Sequence, residues 1–95
     1  MALKFPGDTE TSQTIALKAL SYLAADSDLL EPFLGATGLS LADLRAGATD
    51  SAFLAGILDY FLQNEALLLA FAGASELAPE TILQARQRLP GALND

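Results

Sequence analysis

Apolar residues recur every three or four positions along most of the chain, which is the spacing of one face of an α-helix. This pattern predicts five or six short helices separated by loops rich in glycine, aspartate and serine. The predicted helices cover about residues 9–25, 29–34, 41–47, 50–62, 65–73 and 79–89. Helices this short cannot form a long parallel bundle, so we expect their axes to cross at varied angles.

Capping residues mark most of the predicted helix starts. Ser40 and Asp43 have the spacing of a capping box, in which each side chain bonds the backbone amide of the other residue. The second helix begins either with Asp28 as its cap or with Pro32 as its first helical residue. Asn64 is predicted to cap the fifth helix.

The same spacing predicts which side chains are buried. Leu41 and Leu44 are expected to face inward from the third helix. The first and last helices each carry an apolar stripe, formed by Ile15, Ala16, Ala19, Leu20, Leu23, Ile82, Ala85 and Leu89. These residues are the predicted contribution of the two helices to the core.

The longest apolar run covers residues 52–72 and approaches the length of a membrane-spanning helix. Asp59 and Glu65 interrupt it, and a carboxylate at a bilayer centre costs about 2.5–3.5 kcal/mol. We therefore predict two helices that meet near Asn64, and no membrane interaction. The second of them, residues 65–73, is apolar on every side. Such a helix is central in the fold or covered by another chain, and we expect it to be the most buried one.

Composition supports the same fold class. The chain of 95 residues contains 20 leucines and 18 alanines, but no valine and only three isoleucines. Leucine and alanine favour helices, whereas β-branched residues favour strands. The sequence thus predicts an all-α protein, a compact orthogonal bundle of five or six short helices. One domain is expected over residues 9–91, with an N-terminal arm over residues 1–8 and a frayed tail over residues 92–95.

The net charge is −7, and no lysine or arginine occurs between Ala46 and Ala85. Nucleic acids and anionic membranes both require basic residues, so neither is an expected partner. The chain lacks cysteine and histidine, which excludes disulfides and removes the commonest transition-metal ligand. The first residues do not have the pattern of a signal peptide, and a cytoplasmic location is expected.

Acidic residues are the candidates for chemistry. Asp59 and Glu65 could act as an acid–base pair if the break at Asn64 brings them to one cleft. No nucleophile, metal ligand or phosphate-binding loop accompanies them, so a small carboxylate-dependent enzyme is only the third hypothesis, and we expect no enzymatic activity. Asp26, Asp28 and Glu31 lack the spacing of a calcium-binding loop and are interpreted as serving helix capping and solubility. We predict no cofactor and no metal site.

A protein-interaction module, which binds another protein or associates with itself as a homodimer, is the leading functional hypothesis. The leucine-rich helices carry apolar residues on several faces, so we expect a patch that one small domain cannot bury. The candidate partner-binding residues are Phe53, Asp59, Tyr60 and Glu65. Tyr60 is expected either at the edge of the core or at an interface, because it combines apolar area with a hydroxyl.

The second hypothesis is a transcriptional regulator with a degenerate helix-turn-helix. Residues 37–45 resemble the first helix of such regulators, in which a glycine-containing turn precedes a capped helix. The recognition helix would then start in residues 51–58. That segment contains no side chain suited to reading a base edge, and no lysine or arginine flanks it.

Three segments of the chain resemble a known family. They are residues 33–39 leading to Leu44-Arg45, residues 53–65 continuing to Phe71-Ala72, and Ala85-Arg86 with Leu89-Pro90-Gly91. Over about residues 12–91 the chain resembles a family of small bacterial proteins, mostly from alphaproteobacteria, known only as a domain of unknown function. Asn64 stands where we expect an aspartate before Glu65. The resemblance implies a compact helical domain and brings no activity, cofactor or partner.

Overall fold

The computed structural model describes residues 8–89 of the chain, with side chains from residue 11 onward. Within that range it contains six α-helices and no β-strand. They are α1 (Asp8–Ala24), α2 (Ser27–Thr37), α3 (Leu41–Gly47), α4 (Ser51–Leu62), α5 (Glu65–Ser75) and α6 (Pro79–Gln87). The predicted all-α bundle is confirmed, with shifts at several helix ends. The predicted tail, and all of the predicted arm except Asp8, which begins α1, lie outside the described residues.

The core is organised around α4. This helix packs against α1, α3, α5 and α6, and α1 also packs against α2 and α6. α4 buries five side chains, those of Leu54, Ala55, Ile57, Leu58 and Phe61. All eight residues predicted to form the inner stripes of α1 and α6 are buried as well. Each large apolar side chain buried in this way stabilises the fold by about 1.5–3 kcal/mol.

The prediction that the fifth helix is the most buried is wrong. α4 holds that place, whereas α5 fully buries only Phe71 and Ala72. The chain bends by 109° between α4 and α5, and α5 then contacts α4 and α6. These neighbours cover only one side of α5. A helix whose residues are apolar on every side can therefore still leave part of its surface exposed.

The apolar run over residues 52–72 is divided between α4 and α5, as predicted, with the break at Gln63 and Asn64. No single helix within residues 8–89 has both the length and the hydropathy needed to cross a membrane. α4 and α5 meet those two criteria only when they are counted together across their bend.

The start of α2 is at neither of the two predicted residues. Its cap is Asp26, one of the acids interpreted as capping residues, and the Asp26 carboxylate accepts a hydrogen bond from the Asp28 amide at 2.9 Å. Pro32 lies inside the helix, although proline there removes a backbone donor and crowds the preceding turn. Burial of Phe33, which is 2% exposed, outweighs this local preference. α2 ends at Gly38, whose φ of 75° favours a residue without a β-carbon.

The predicted capping box of α3 is confirmed. The Ser40 amide donates to Asp43 Oδ2 at 2.9 Å, and the Asp43 amide donates to Ser40 Oγ at 3.2 Å. Leu44 is buried as predicted, but the prediction for Leu41 is wrong, since its side chain is 52% exposed. α3 is only seven residues long and packs against α4, so a single narrow side of it reaches the core.

Asn64 occupies the N-cap position of α5, as predicted, but its side chain caps none of the described amides. The Asn64 carbonyl instead accepts from the Leu68 amide at 2.8 Å, the first regular bond of the helix. α5 continues to Ser75, two residues beyond its predicted end, and is followed by Glu76 in the left-handed region with a φ of 58°.

Candidate functional site

The outward side of α5 is an apolar surface. Its members recur every three or four residues along the helix and are Ala66, Leu69, Ala70, Gly73 and Ala74, all of them exposed. We call this surface the α5 face. Leu69 is the largest of the five side chains and is 50% exposed. Outward positions of a surface helix are ordinarily polar, so this composition needs an explanation.

Aromatic packing determines which side of α5 faces inward. The Phe71 ring is fully buried, and its centroid lies 5.1 Å from that of Phe61 in α4 and 5.4 Å from that of Tyr22 in α1. Both distances are in the favourable range for aromatic pairs. Because these contacts set the rotation of α5 about its own axis, the residues opposite Phe71 point away from the bundle.

The space outside the α5 face is open within the described part of the chain. A β-carbon built on Gly73 would meet no atom of another element within 4 Å. The α5 face is therefore uncovered by any other helix among residues 8–89 at this point.

Charged residues stand at the two ends of the α5 face. Glu65 lies in the first turn of α5 and Glu76 at its C-cap, and both are exposed. No charged residue lies between them in the sequence. Neither forms an ion pair with any residue in the range 8–89. At 1.5 Å of rise per residue, the two acids are about 16 Å apart along the helix axis.

Asp59, one of the predicted candidates, is held in an ion pair with Arg86. Arg86 Nε donates to Asp59 Oδ1 at 2.6 Å, which joins α4 to α6. The Arg86 side chain is only 11% exposed, and that of Asp59 is 44% exposed. This contact between helices accounts for a carboxylate in the middle of an apolar run.

Tyr60 and Phe53 are both half-buried and contact neighbouring helices. The Tyr60 ring meets that of Phe33 edge-on at a centroid distance of 4.8 Å, so Tyr60 lies at the edge of the core. Phe53 lies against Gly47 at the end of α3, where a β-carbon would overlap the Phe53 ring. Of the four predicted candidates, only Glu65 lies beside the α5 face.

A groove of about 510 Å³ lies between α1 and α6. It is lined by Thr11, Ser12, Ile15, Thr81, Gln84, Ala85 and Arg88. Neither Asp59 nor Glu65 lines it, so it is not the shared cleft that an acid–base pair would need. Within residues 8–89, no group of three or more histidine, cysteine, aspartate or glutamate side chains is placed to hold a metal ion.

The position of the α5 face is not predicted by the sequence, which leaves burial in the core and cover by another chain as the two alternatives for residues 65–73. The signal that could have found it is the lack of polar residues over residues 66–74. A fully buried helix has the same lack of polar residues. A helix with an exposed apolar side differs from it only in how many neighbouring elements pack around it.

The chain belongs to the family of proteins of unknown function designated DUF3572, whose sequence profile matches residues 9–92. The resemblance of the chain to a domain of unknown function is thereby confirmed, whereas the bacterial group stays an expectation. No curated protein and no solved structure matches the chain. Since the family brings no activity, function has to be inferred from the residues themselves.

Proposed function

We propose that this protein is a cytoplasmic protein-interaction module that binds a partner protein through the α5 face and has no catalytic activity of its own. The observation that carries the proposal is that residues 66–74 include no polar side chain although five of them are exposed. Contiguous exposed apolar surface is a feature of sites where a protein binds a partner, and the α5 face is a small example of it.

The requirements of the fold do not account for this composition. Leucine and alanine are good helix formers, but glutamate, lysine and glutamine serve nearly as well on a solvated side. Two other leucines of similar exposure have a polar residue beside them on the solvated side of their helix. Leu41 has Arg45 one turn later, and Leu83 has Gln87 one turn later. Leu69 has Gly73 at the same spacing, so its apolar surface is continuous with that of its neighbours.

The size of the α5 face favours transient binding. A helix of 11 residues is about 16 Å long and about 10 Å wide. One side of it is much smaller than the roughly 800 Å² that each partner contributes to a standard stable interface. We therefore expect reversible association with a single element of the partner, such as one helix.

A comparison of two leucine variants tests the proposal. Leu69→Gln places a polar group on the α5 face, and Leu41→Gln makes the same change on α3, where the leucine is similarly exposed, at 52% against 50%. Tagged wild-type protein and both variants are used to capture proteins from cell lysate, and the captured proteins are quantified by mass spectrometry. We expect a set of proteins that wild type and Leu41→Gln retain and Leu69→Gln loses.

The result that would contradict the proposal is equal capture of every protein by all three chains. Circular dichroism of each variant guards against loss of folding, which is not expected because both side chains are half-exposed.

No specific observation favours the other two hypotheses. A recognition helix has to present one side to a DNA groove, whereas α4, the helix in that position, packs against α1, α3, α5 and α6. An acid–base pair needs both carboxylates at one cleft, whereas Asp59 is bound to Arg86 and Glu65 is exposed at the start of α5.

A further inference from the structure

We infer that the partner presents a helix whose apolar stripe lies between lysine or arginine residues. The inference rests on the proposed function and adds the chemistry of the partner. It follows from the two acids at the ends of the α5 face, from the shape of that face, and from the charge of the whole chain.

The charges at the ends of the α5 face favour a basic partner. Glu65 and Glu76 are exposed at opposite ends of an otherwise uncharged surface. The chain has a net charge of −7 and no lysine or arginine between Ala46 and Ala85, so no base stands beside them in the sequence. A partner with a positive charge at each end of its contact would be attracted and oriented by both acids.

Helix geometry gives the spacing of those charges. Glu65 and Glu76 are 11 positions apart, and three turns of an α-helix take about 10.8 residues. A second helix with basic residues at positions i and i+11 therefore presents both on one side, with apolar residues between them. Ala66 and Ala70 are small, and Gly73 has no side chain, so such a helix can approach most closely at Gly73, to about 8 Å between axes.

A second copy of this chain is a poorer occupant. In a parallel pair of α5 helices, Glu65 would lie beside Glu65 of the second copy. In an antiparallel pair centred on Ala70, Glu65 would lie beside residue 75 of the second copy, one position from its Glu76. Both arrangements bring acids together, and each copy also carries a charge of −7. Repulsion between these like charges disfavours a second copy of the chain, so a basic helix is the preferred occupant of the α5 face.

Designed peptides test the inference directly. The probe is a fluorescent, alanine-based helix of about 18 residues, or five turns, with leucines at i, i+3, i+4 and i+7 and with lysines 11 positions apart at the two ends of that stripe. A second peptide has glutamate in place of each lysine. We expect the basic peptide to bind the wild-type protein about tenfold more tightly than the acidic one in low salt, measured by fluorescence anisotropy.

Protein variants place the binding on the α5 face. Leu69→Gln should weaken binding of the basic peptide about fivefold, because the peptide then no longer buries the exposed half of the Leu69 side chain. Leu41→Gln should leave binding unchanged. The double variant Glu65→Gln/Glu76→Gln should weaken binding about fivefold in low salt. Its control is Asp28→Asn/Glu31→Gln, which changes the net charge equally on α2 and should leave binding unchanged.

Each outcome separates this inference from the proposed function. Equal binding of the acidic peptide, or equal effects of the two double variants, would overturn the basic partner while leaving the α5 face as a docking surface. A dimer in sedimentation equilibrium that Leu69→Gln dissociates would identify a second copy as the occupant, and would also overturn the inference. If neither peptide binding nor capture from lysate depends on Leu69, the inference and the proposed function both fail.

Discussion

The ion pair between α4 and α6 provides the sharpest test of the fold. We expect Asp59→Ala to lower the free energy of unfolding by about 1.5 kcal/mol, because it removes a carboxylate from a mostly buried guanidinium. Water reaches Arg86 far less than Asp59, since their side chains are 11% and 44% exposed. The burial of Arg86, rather than the exposure of the pair as a whole, sets the size of the effect.

Two limits bracket the magnitude. Removing one partner of a fully buried ion pair costs about 3–5 kcal/mol, whereas an exposed pair contributes about 0.2–1 kcal/mol. With one partner buried and the other half-exposed, the loss should be about 2 kcal/mol. Alanine is a better helix former than aspartate by roughly 0.5 kcal/mol, which offsets part of the loss. The net value corresponds to a fall in Tm of about 6–12 °C for a domain of this size.

Thermal and urea unfolding, followed by far-UV circular dichroism, measure the effect. Arg86→Met keeps an apolar stem and leaves Asp59 to be hydrated, so it should cost only about 0.5–1 kcal/mol. The double variant Asp59→Ala/Arg86→Met should lose less than the sum of the single variants, by about 1 kcal/mol. Glu31→Ala removes an exposed acid of α2 and should leave the Tm unchanged. Equal losses in the two single variants, or additive losses in the double variant, would refute the reasoning.

Further substitutions test packing and capping. Gly47→Ala should cost about 1–3 kcal/mol, because the added β-carbon overlaps the Phe53 ring. Gly56 lies in the middle of α4, where an added β-carbon would meet no atom within 4 Å, so Gly56→Ala should stabilise the protein by about 0.5–1 kcal/mol. In urea unfolding, the changes in the free energy of unfolding of the two variants must therefore have opposite signs. Ser40→Ala should cost about 1 kcal/mol by breaking the capping box of α3. Asn64→Ala should have a clearly smaller effect on the Tm, because the Asn64 side chain caps no described amide, and equal effects would contradict the assigned caps.

The elements that could be predicted from the sequence are those whose pattern has one physical solution. α1 carries an apolar stripe with polar residues opposite, and only burial of that stripe satisfies both sides. The capping box of α3 is equally local, since Ser40 and Asp43 satisfy each other's amides without help from the rest of the fold.

The features that could not be predicted depend on contacts between distant residues. Pro32 marks a helix boundary by its local preference, but burial of Phe33 keeps α2 helical across it. Leu41 looks equivalent to Leu44 in the sequence, and only the placement of α3 against α4 distinguishes them. The candidate site has the same origin. The composition of α5 permits burial on any side, and the packing of Phe71 decides which side is left outside.

Substitution of Gly73 distinguishes an effect on partner binding at the α5 face from an effect on helix stability. Glycine is about 1 kcal/mol worse than alanine inside a helix, and the fold has room for a β-carbon at this position. Gly56 in α4 has equal room, so Gly73→Ala and Gly56→Ala should stabilise the free protein alike. Only Gly73 lies where a docked helix would approach, so only Gly73→Ala should weaken binding of the basic peptide. If Gly73→Ala binds that peptide as tightly as wild type does, close packing of a partner helix along α5 is contradicted.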